Sequence, residues 1–217
     1  MTDQYFADRC ILSAWNEDVH FINAQVLDEF PRKERIYHSA NWVVSENDDD
    51  ISSIYSVKFL NSINASGLPL AKLKLKIGCL VIVLRNLNPA QGVCNGTRGV
   101  VIRMTNRIVE IRLLEGDFAG ETVFIPWITL SPSDTEIGFE FKWHQHPLCL
   151  AFAISINKAQ DQSMKNVGLD FRNPVFSHGQ FYVAISRATS INRIKAIWNP
   201  QSQLPIVKNI VYEVLLK

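Results

Sequence analysis

The 217-residue sequence lacks a charge excess, paired cysteines and any long apolar run. Its 22 Lys and Arg residues almost balance 21 Asp and Glu, so the formal net charge is only +1. Any polyanion site must therefore be local. The four cysteines form no CxxC pair, which favours buried thiols in a reducing, intracellular compartment. No apolar run reaches the roughly 20 residues that span a bilayer, so no membrane partner is expected.

Several catalytic arrangements are also missing from the sequence. No GxxxxGK[ST] phosphate loop occurs, and no strand-ending acidic pair offers itself to magnesium. Scattered Ser, His, Asp and Cys residues give no local support for a hydrolase triad. His144 and His146 flank a single Gln without a second ligand pair, so no metal site is predicted.

The two ends of the sequence alternate strand and helix patterns. Residues 9–15 read as a strand, and Asn16 caps a helix that runs to Pro31. A strand near 35–41 and a helix near 54–64 follow. After 147 come an apolar strand at 148–155, a short helix, a strand at 166–171, a helix at 179–190, a strand at 193–198 and a terminal helix at 206–217. This order predicts an α/β parallel-sheet domain formed by 1–72 and 133–217.

The middle of the sequence has the short β-rich runs of a small barrel. The runs lie at 77–87, 98–104, 107–115 and 121–130 and are separated by turn residues. Asn95-Gly96 is the strongest hairpin signal, because a type I′ turn needs positive φ at both positions. We predict an inserted β-barrel at 73–132 with a core built from five residues: Val81, Val83, Val101, Ile111 and Val123.

Polar residues follow the apolar strand that ends near residue 155. They are Ser155, Asn157, Lys158, Gln160 and Gln162. Open α/β sheets bind ligands at the carboxyl ends of their strands, so this segment is a candidate site. The alternative is an ordinary loop with Ser155 or Asn157 as a helix cap.

The helix at 179–190 carries two long polar side chains on one side. Phe181, Ala184 and Ile185 form its apolar stripe together with Ala188, whereas Gln180 and Arg187 lie two turns apart and point away from that stripe. The alternative interpretation is a solvated helix face. Polar clusters on two neighbouring crossover connections are stronger evidence for a ligand site than either cluster alone.

These segments together resemble a helicase family. "LAFAISINKAQDQSM" and "GQFYVAISRATS" are similar to the last two motifs of superfamily-one DNA helicases of the Pif-one and RecD group, with the Helitron-fused variants closest. "ILSAWNEDVHFIN", "FLNSINASGLPLAKLKLKIGCLVIVLRNLNPAQGVCNGTRG" and "FIPWITLSPSD" also resemble that group, in the same order. The resemblance spans residues 9 to about 200.

The resemblance implies the second RecA-like lobe of an ATP-dependent DNA helicase, with an SH3-like barrel inserted at about 73–132. ATP and magnesium would be held mainly by a first lobe absent from this chain, and single-stranded DNA would cross both lobes. Arg187 would be the arginine finger at the γ-phosphate, with Gln160 and Gln180 at the nucleotide. The implied DNA contacts are Ser155, Asn157, Lys158 and Ser163.

The resemblance further implies action in the nucleus, in DNA repair, recombination and telomere maintenance. One departure is Asp161, which stands where the family usually has Gly and would repel phosphates. Asn157 also replaces a frequent His. Together with the missing first lobe, the Asp161 departure predicts a decayed or truncated transposon-derived copy that is inactive alone. The alternative is a helicase-derived module that binds nucleic acid or a protein without catalysis.

Overall fold

The computed structural model describes residues 3–44, 55–63, 67–131, 139, 141–160, 162–199 and 206–211. The chain divides into two compact units. One comprises Met1–Glu29 and Ala151–Lys217, and the other comprises Phe30–Leu150. Within the described residues, no helix has the length and apolar character needed to cross a bilayer.

Strands outnumber helices among the regular elements. In chain order the elements are α1 (Asp3–Ala7), β1 (Arg9–Ser13), α2 (Asn16–Glu29), β2 (Arg35–His38), β3 (Ala40–Val43), α3 (Val57–Leu60), β4 (Lys72–Leu75), β5 (Leu80–Val83), β6 (Arg98–Met104), β7 (Ile108–Leu113), β8 (Thr122–Pro126), β9 (Ile128–Leu130), β10 (Phe141–Gln145), β11 (Leu148–Leu150), β12 (Ala153–Ser155), β13 (Asn166–Phe171), α4 (Gln180–Ser186) and β14 (Ile194–Trp198). Short 3₁₀ helices lie at Pro89–Gln91, Ile156–Ala159 and Ile191–Arg193.

The first unit contains the predicted parallel sheet. Its strand order is β12-β1-β13-β14, and each neighbouring pair is parallel. The central strand β1 pairs Leu12 with Ile154 on one side and with Leu169 on the other. All three of these side chains are buried, as expected for a parallel sheet. The mixed α/β class predicted from the sequence is confirmed.

Helix α2 covers the edge strand β12. It begins at Asn16 as predicted and packs Val19 and Ile22 against Ala153. Asn23 also faces the sheet and is buried. Its Nδ2 donates to the Ala153 carbonyl at 2.8 Å, and its Oδ1 accepts from the Ala153 N–H at 2.9 Å. One side chain thus satisfies both backbone polar groups of an edge residue, where no further strand is paired among the described residues.

The second unit is antiparallel. A five-stranded sheet has the order β11-β5-β6-β7-β8, a three-stranded sheet has the order β3-β10-β9, and β2 pairs with β4. The strands β6 and β7 agree with the predicted runs, and the five predicted core residues, four valines and one isoleucine, are all buried. The SH3-like barrel and its limits at 73–132 stay predictions, and the compact unit that contains them is wider.

Two runs predicted as single strands are divided between sheets in the structure. The apolar run 148–155 is two strands, because Leu148–Leu150 pair with β5 whereas Ala153–Ser155 pair with β1. The run 121–130 is likewise divided between β8 and β9, which lie in different sheets. Apolar character alone does not reveal that the backbone changes its hydrogen-bonding partner.

The predicted terminal helix is wrong over its described part. Residues 206–211 have no regular structure, and the Ile210 carbonyl accepts from the Gly179 N–H at 3.1 Å. Residues 212–217 lie outside the described residues. A tertiary contact therefore occupies a carbonyl that a helix would have used internally.

The Asn95-Gly96 signal marks a turn but does not join two strands directly. Gly96 has a φ of 93°, and the Thr97 N–H donates to the Cys94 carbonyl at 3.1 Å. The connection from β5 to β6 spans residues 84–97 and contains an additional bridge between Asn88 and Val93. The dipeptide predicted the turn and the positive φ of Gly96 correctly, whereas the prediction of a hairpin that joins two strands directly was wrong.

The amide of Asn23 generates a stability prediction. Asn23→Leu leaves the N–H and C=O of Ala153 without their partners, at a cost of roughly 1–3 kcal/mol for each buried group. We expect a correspondingly lower free energy of unfolding by urea titration. Gln25→Leu, at an exposed position of the same helix, is the control and should change stability little. Equal effects of the two substitutions would contradict the role of the amide.

His146 generates a prediction about pH. Its side chain is buried, and its Nδ1 lies 3.2 Å from the Ile125 carbonyl. Burial lowers the pKa of His146 from 6.5 to about 4. Since the folded state disfavours the charged ring, its stability contribution is complete above pH 6.5 and is lost as the pH falls toward 4.

Urea titrations at pH 7.5 and 5.0 test this contribution. We expect His146→Gln to reduce the loss of stability between these pH values, because its side chain does not titrate. His144→Gln, on the adjoining strand β10, should retain the parental loss. A parental pH dependence in both variants would show that His146 is not the responsible group.

Candidate functional site

The carboxyl edge of the parallel sheet brings polar residues into one row. Ser13 at the end of β1 is in register with Ser155 on β12 and with Asp170 on β13. All three side chains are buried. Because the strands are parallel, the segments that follow them leave the sheet at the same edge, where ligands bind in open α/β sheets.

The segment after β12 presents most of the predicted site residues to solvent. The 3₁₀ helix Ile156–Ala159 buries Ile156 and Ala159, whereas Asn157 and Lys158 are exposed. Gln160 and Ser163 are also exposed. Asp161 lies outside the described residues. The predicted short helix is therefore confirmed as a 3₁₀ turn that directs an amide and an ammonium outward.

Ser155 and Lys158 have different surroundings. Ser155 is only 8% exposed and occupies the N-cap position of the 3₁₀ helix, but its side chain makes no capping hydrogen bond there. The pKa of His20 in α2 is lowered, first by desolvation of its ring and second by the positive charge of Lys158. The Lys158 ammonium is therefore close enough to disfavour protonation of the His20 ring.

Arg187 lies immediately after α4 and is half-buried. Its Nη1 donates to the carbonyls of Ala159 and Gln162, at 3.4 and 3.2 Å. Its Nε donates to the Val183 carbonyl at 3.1 Å. In addition, the Met164 N–H donates to the Arg187 carbonyl at 2.9 Å. The structure therefore joins the two polar clusters that the sequence singled out, through one guanidinium and one backbone bond.

Gln180 is directed away from solvent. It is 2% exposed, and its Oε1 accepts from the N–H groups of Phe176 and Ser177, at 3.0 and 3.4 Å. In the described part of the chain, Gln180 and Arg187 are not hydrogen-bonded to each other and share no hydrogen-bond partner. The amide thus closes the turn that leads into α4, and the predicted apolar stripe buries Ala184 fully.

Comparison with known proteins links this arrangement to one family. Residues 58–104 match the model of the DNA helicase Pif1 2B domain. The ATP-dependent DNA helicase Pif1 of Bdellovibrio bacteriovorus is 31% identical over 197 residues, which covers 84% of this chain and 44% of that protein. The PIF1 helicase of Danio rerio is 30% identical over 190 residues, covering 86% of this chain and 27% of that protein.

The chain is a relative of the Pif1 helicases. Solved Pif1 structures share its fold: one from Bacteroides, in complex with ADP-AlF3 and ssDNA, has a TM-score of 0.70 at 22% identity and covers 98% of this chain and 44% of its own. The Candida albicans Pif1 structure has a TM-score of 0.66 at 23% identity, with 88% and 45% covered. This chain spans less than half the length of these Pif1 proteins.

The carboxyl edge of the sheet also contains an ion pair that was not predicted from the sequence. Arg172 donates to the Asp170 carboxylate from Nε at 2.9 Å and from Nη2 at 2.6 Å. Burial alone would raise the pKa of Asp170, but the hydrogen bonds and charge of Arg172 outweigh it and hold that pKa below its ordinary value. The available signal was an acidic residue at the penultimate position of the apolar run "NVGLDF".

The carboxylate of Asp18 at the same edge is also hydrogen-bonded. The Asn173 amide donates to both oxygens of Asp18 at 2.9 Å, and the Ser13 hydroxyl lies 3.4 Å from one of them. Within the residues that the structure describes, no group of three His, Cys, Asp or Glu side chains is arranged to hold a metal ion. The edge therefore presents the carboxylates of Asp170 and Asp18, each hydrogen-bonded to a neighbouring side chain, and the guanidinium of Arg172.

Proposed function

We propose that this chain is the second RecA-like lobe of an ATP-dependent DNA helicase, with an SH3-like barrel in its second unit. It would act with a first lobe that holds ATP and magnesium, and would couple ATP hydrolysis to movement along single-stranded DNA. The observation that carries the proposal is the contact of Arg187 with the carbonyls of Ala159 and Gln162. That contact connects the proposed phosphate-sensing residue to the proposed DNA-binding segment.

In this proposal Arg187 stabilises the transferring phosphoryl group across the cleft. A planar, permanently charged guanidinium suits that task, and such arginines accelerate phosphoryl transfer by about 10³- to 10⁵-fold. Its present acceptors are neutral carbonyls. A phosphate would offer charge-assisted bonds that are roughly twice as strong, so it can draw the guanidinium away from residues 159–162. Nucleotide binding would thereby change the segment that follows β12.

Gln160 and Gln180 belong to the same nucleotide proposal in different ways. Gln160 is exposed beside the 3₁₀ helix and can reach a ligand directly. Gln180 is buried in the turn before α4, so it would act by setting the start of the helix that carries Arg187. Magnesium would be held by the first lobe and would neutralise phosphate charge there.

DNA contact is proposed for the exposed groups after β12. Asn157, Lys158 and Ser163 can hydrogen-bond to backbone phosphates, a mode that does not depend on base sequence. Ser155 is buried, so its proposed contribution is to the start of the segment. A nuclear role in DNA repair, recombination and telomere maintenance, and a Helitron origin, belong to the same proposal through the family resemblance alone.

The first prediction from this proposal is that the 217-residue chain does not turn over ATP by itself. It carries no phosphate loop, so single-stranded DNA should not raise its phosphate release above that of Arg187→Ala. Adding a first RecA-like lobe that carries GxxxxGK[ST] should produce DNA-stimulated release.

The restored activity provides the test of Arg187. It should fall by about 10³- to 10⁵-fold in Arg187→Ala. Arg193→Ala is the control. It removes an equal charge, but the Arg193 side chain donates to Asn166, so this variant should retain activity. Turnover by the chain alone would contradict inactivity, and equal losses in both variants would contradict the proposed finger.

The second prediction concerns weak, salt-sensitive binding of single strands. Losing one phosphate-neutralising lysine should weaken binding and reduce the salt slope by about 0.7, so Lys158→Ala should show both effects. Lys165→Ala, at an exposed lysine paired with Asp8, is the matched control. Asp161→Gly should tighten binding, because it removes a negative charge near the phosphates.

A salt titration of oligothymidylate affinity measures these effects. The DNA proposal for this segment is overturned if Lys158→Ala matches Lys165→Ala and Asp161→Gly leaves affinity unchanged. Binding that follows the prediction, without ATP turnover even when a first lobe is supplied, would favour the non-catalytic binding module.

A further inference from the structure

The second unit contains an open pocket that the helicase proposal does not use. Its volume is about 290 Å³, and it is lined by His38, Ser39, Asn61, Leu70, Ala71 and Lys72. This volume lies just below the roughly 300–1,000 Å³ of typical small-molecule pockets. The space suits a phosphate with part of a sugar better than an entire nucleoside triphosphate.

The antiparallel ribbon of β2 and β4 places the two basic residues of this pocket together. His38 is directly opposite Lys72 in the register, and both are exposed. The alternate residues Tyr37 and Leu73 are buried on the other face. Period-two alternation therefore directs an imidazole and an ammonium to the same side of the ribbon.

Hydrogen bonding around Asn41 leaves donors available at the pocket. Asn41 Nδ2 donates to the Ser39 hydroxyl oxygen at 2.9 Å and to Asn61 Oδ1 at 2.7 Å. These bonds occupy acceptors of both lining residues. In the described part of the chain, the Ser39 O–H and the Asn61 NH₂ have no acceptor and remain as donors. An imidazole has an N–H donor in either protonation state. The polar lining of the pocket thus favours an acceptor-rich ligand.

The charge of the lining residues also favours an acceptor-rich, anionic ligand. None of the six lining residues is acidic. Within the described ranges, Lys72 has no ion-pair partner, whereas the neighbouring Lys74 lies 3.6 Å from the Glu34 carboxylate. Among the described residues, Lys72 therefore contributes a positive charge without an ion-pair partner, beside three side chains that can donate hydrogen bonds.

We propose that this pocket binds a backbone phosphate of single-stranded DNA. Lys72 would supply the charge, and His38, Ser39 and Asn61 would donate hydrogen bonds to the phosphate oxygens. DNA as the source of the phosphate rests on the proposed helicase function. Recognition through phosphate alone is independent of base sequence.

A matched pair of lysines on β4 provides the test. In salt titrations with oligothymidylate, Lys72→Gln should weaken binding and lower the salt slope by about 0.7 relative to the parent. Lys74→Gln removes the same charge from the same face of the same strand but leaves the pocket lining intact. It should therefore retain the parental slope. Equal behaviour of the two variants overturns the proposal.

A second measurement separates DNA from a free anion. The NMR signals of the His38 ring and the Lys72 side chain should shift with oligothymidylate at lower concentration than with inorganic phosphate. Asn61→Leu, which removes a donor without changing charge, should weaken the oligothymidylate response. Equal potency of inorganic phosphate would indicate a simple anion site and overturn the assignment to DNA.

The Lys158 titration distinguishes failure of this proposal from failure of the proposed function. If Lys158→Ala weakens binding but Lys72→Gln behaves like Lys74→Gln, the pocket proposal is overturned and the strand-end site stands. If only Lys72→Gln weakens binding, the pocket is supported and the strand-end site is overturned. Absence of oligothymidylate binding by the parent overturns both.

Discussion

The position of β1 between β12 and β13 is the constraint on which the first unit depends. The N-terminal strand can be satisfied on both sides only by strands from the last third of the chain. Loop closure of this kind is unfavourable until the long-range pairing forms. Once it has formed, Ser13, Ser155 and Asp170 are in register at one edge, and the polar segments that follow the strands become neighbours.

In the same sheet β12 is an edge strand, and helix α2 covers its outer side. Asn23 meets this need by bonding both backbone groups of Ala153. Anchoring at that point holds the start of the segment containing Lys158, while Arg187 holds its end through the carbonyls of Ala159 and Gln162. The segment is thus anchored through hydrogen bonds of an amide at its start and of a guanidinium at its end.

Both proposed anion sites depend on local charge, since the chain as a whole is almost neutral. Lys158 lies after a parallel strand, and Lys72 lies on an antiparallel ribbon, so different backbone geometries expose the two ammonium groups. The ion pairs of Lys165 with Asp8 and of Lys74 with Glu34 show how nearby lysines are neutralised instead. Lys165 and Lys74 are exposed as well, but their ion pairs distinguish them from Lys158 and Lys72, the two lysines proposed to bind phosphate.

Local patterns in the sequence determined the elements whose periodicity and termini are self-contained. The helix from Asn16, the strands Arg98–Met104 and Asn166–Phe171, and the polar residues after residue 155 could all be predicted, because side-chain alternation and capping act over a few residues. Only the tertiary structure decided that residues 148–155 divide between two sheets and that Asn23 bonds Ala153. It also decided the acceptors of Arg187, because backbone partners distant in sequence leave no periodic signal.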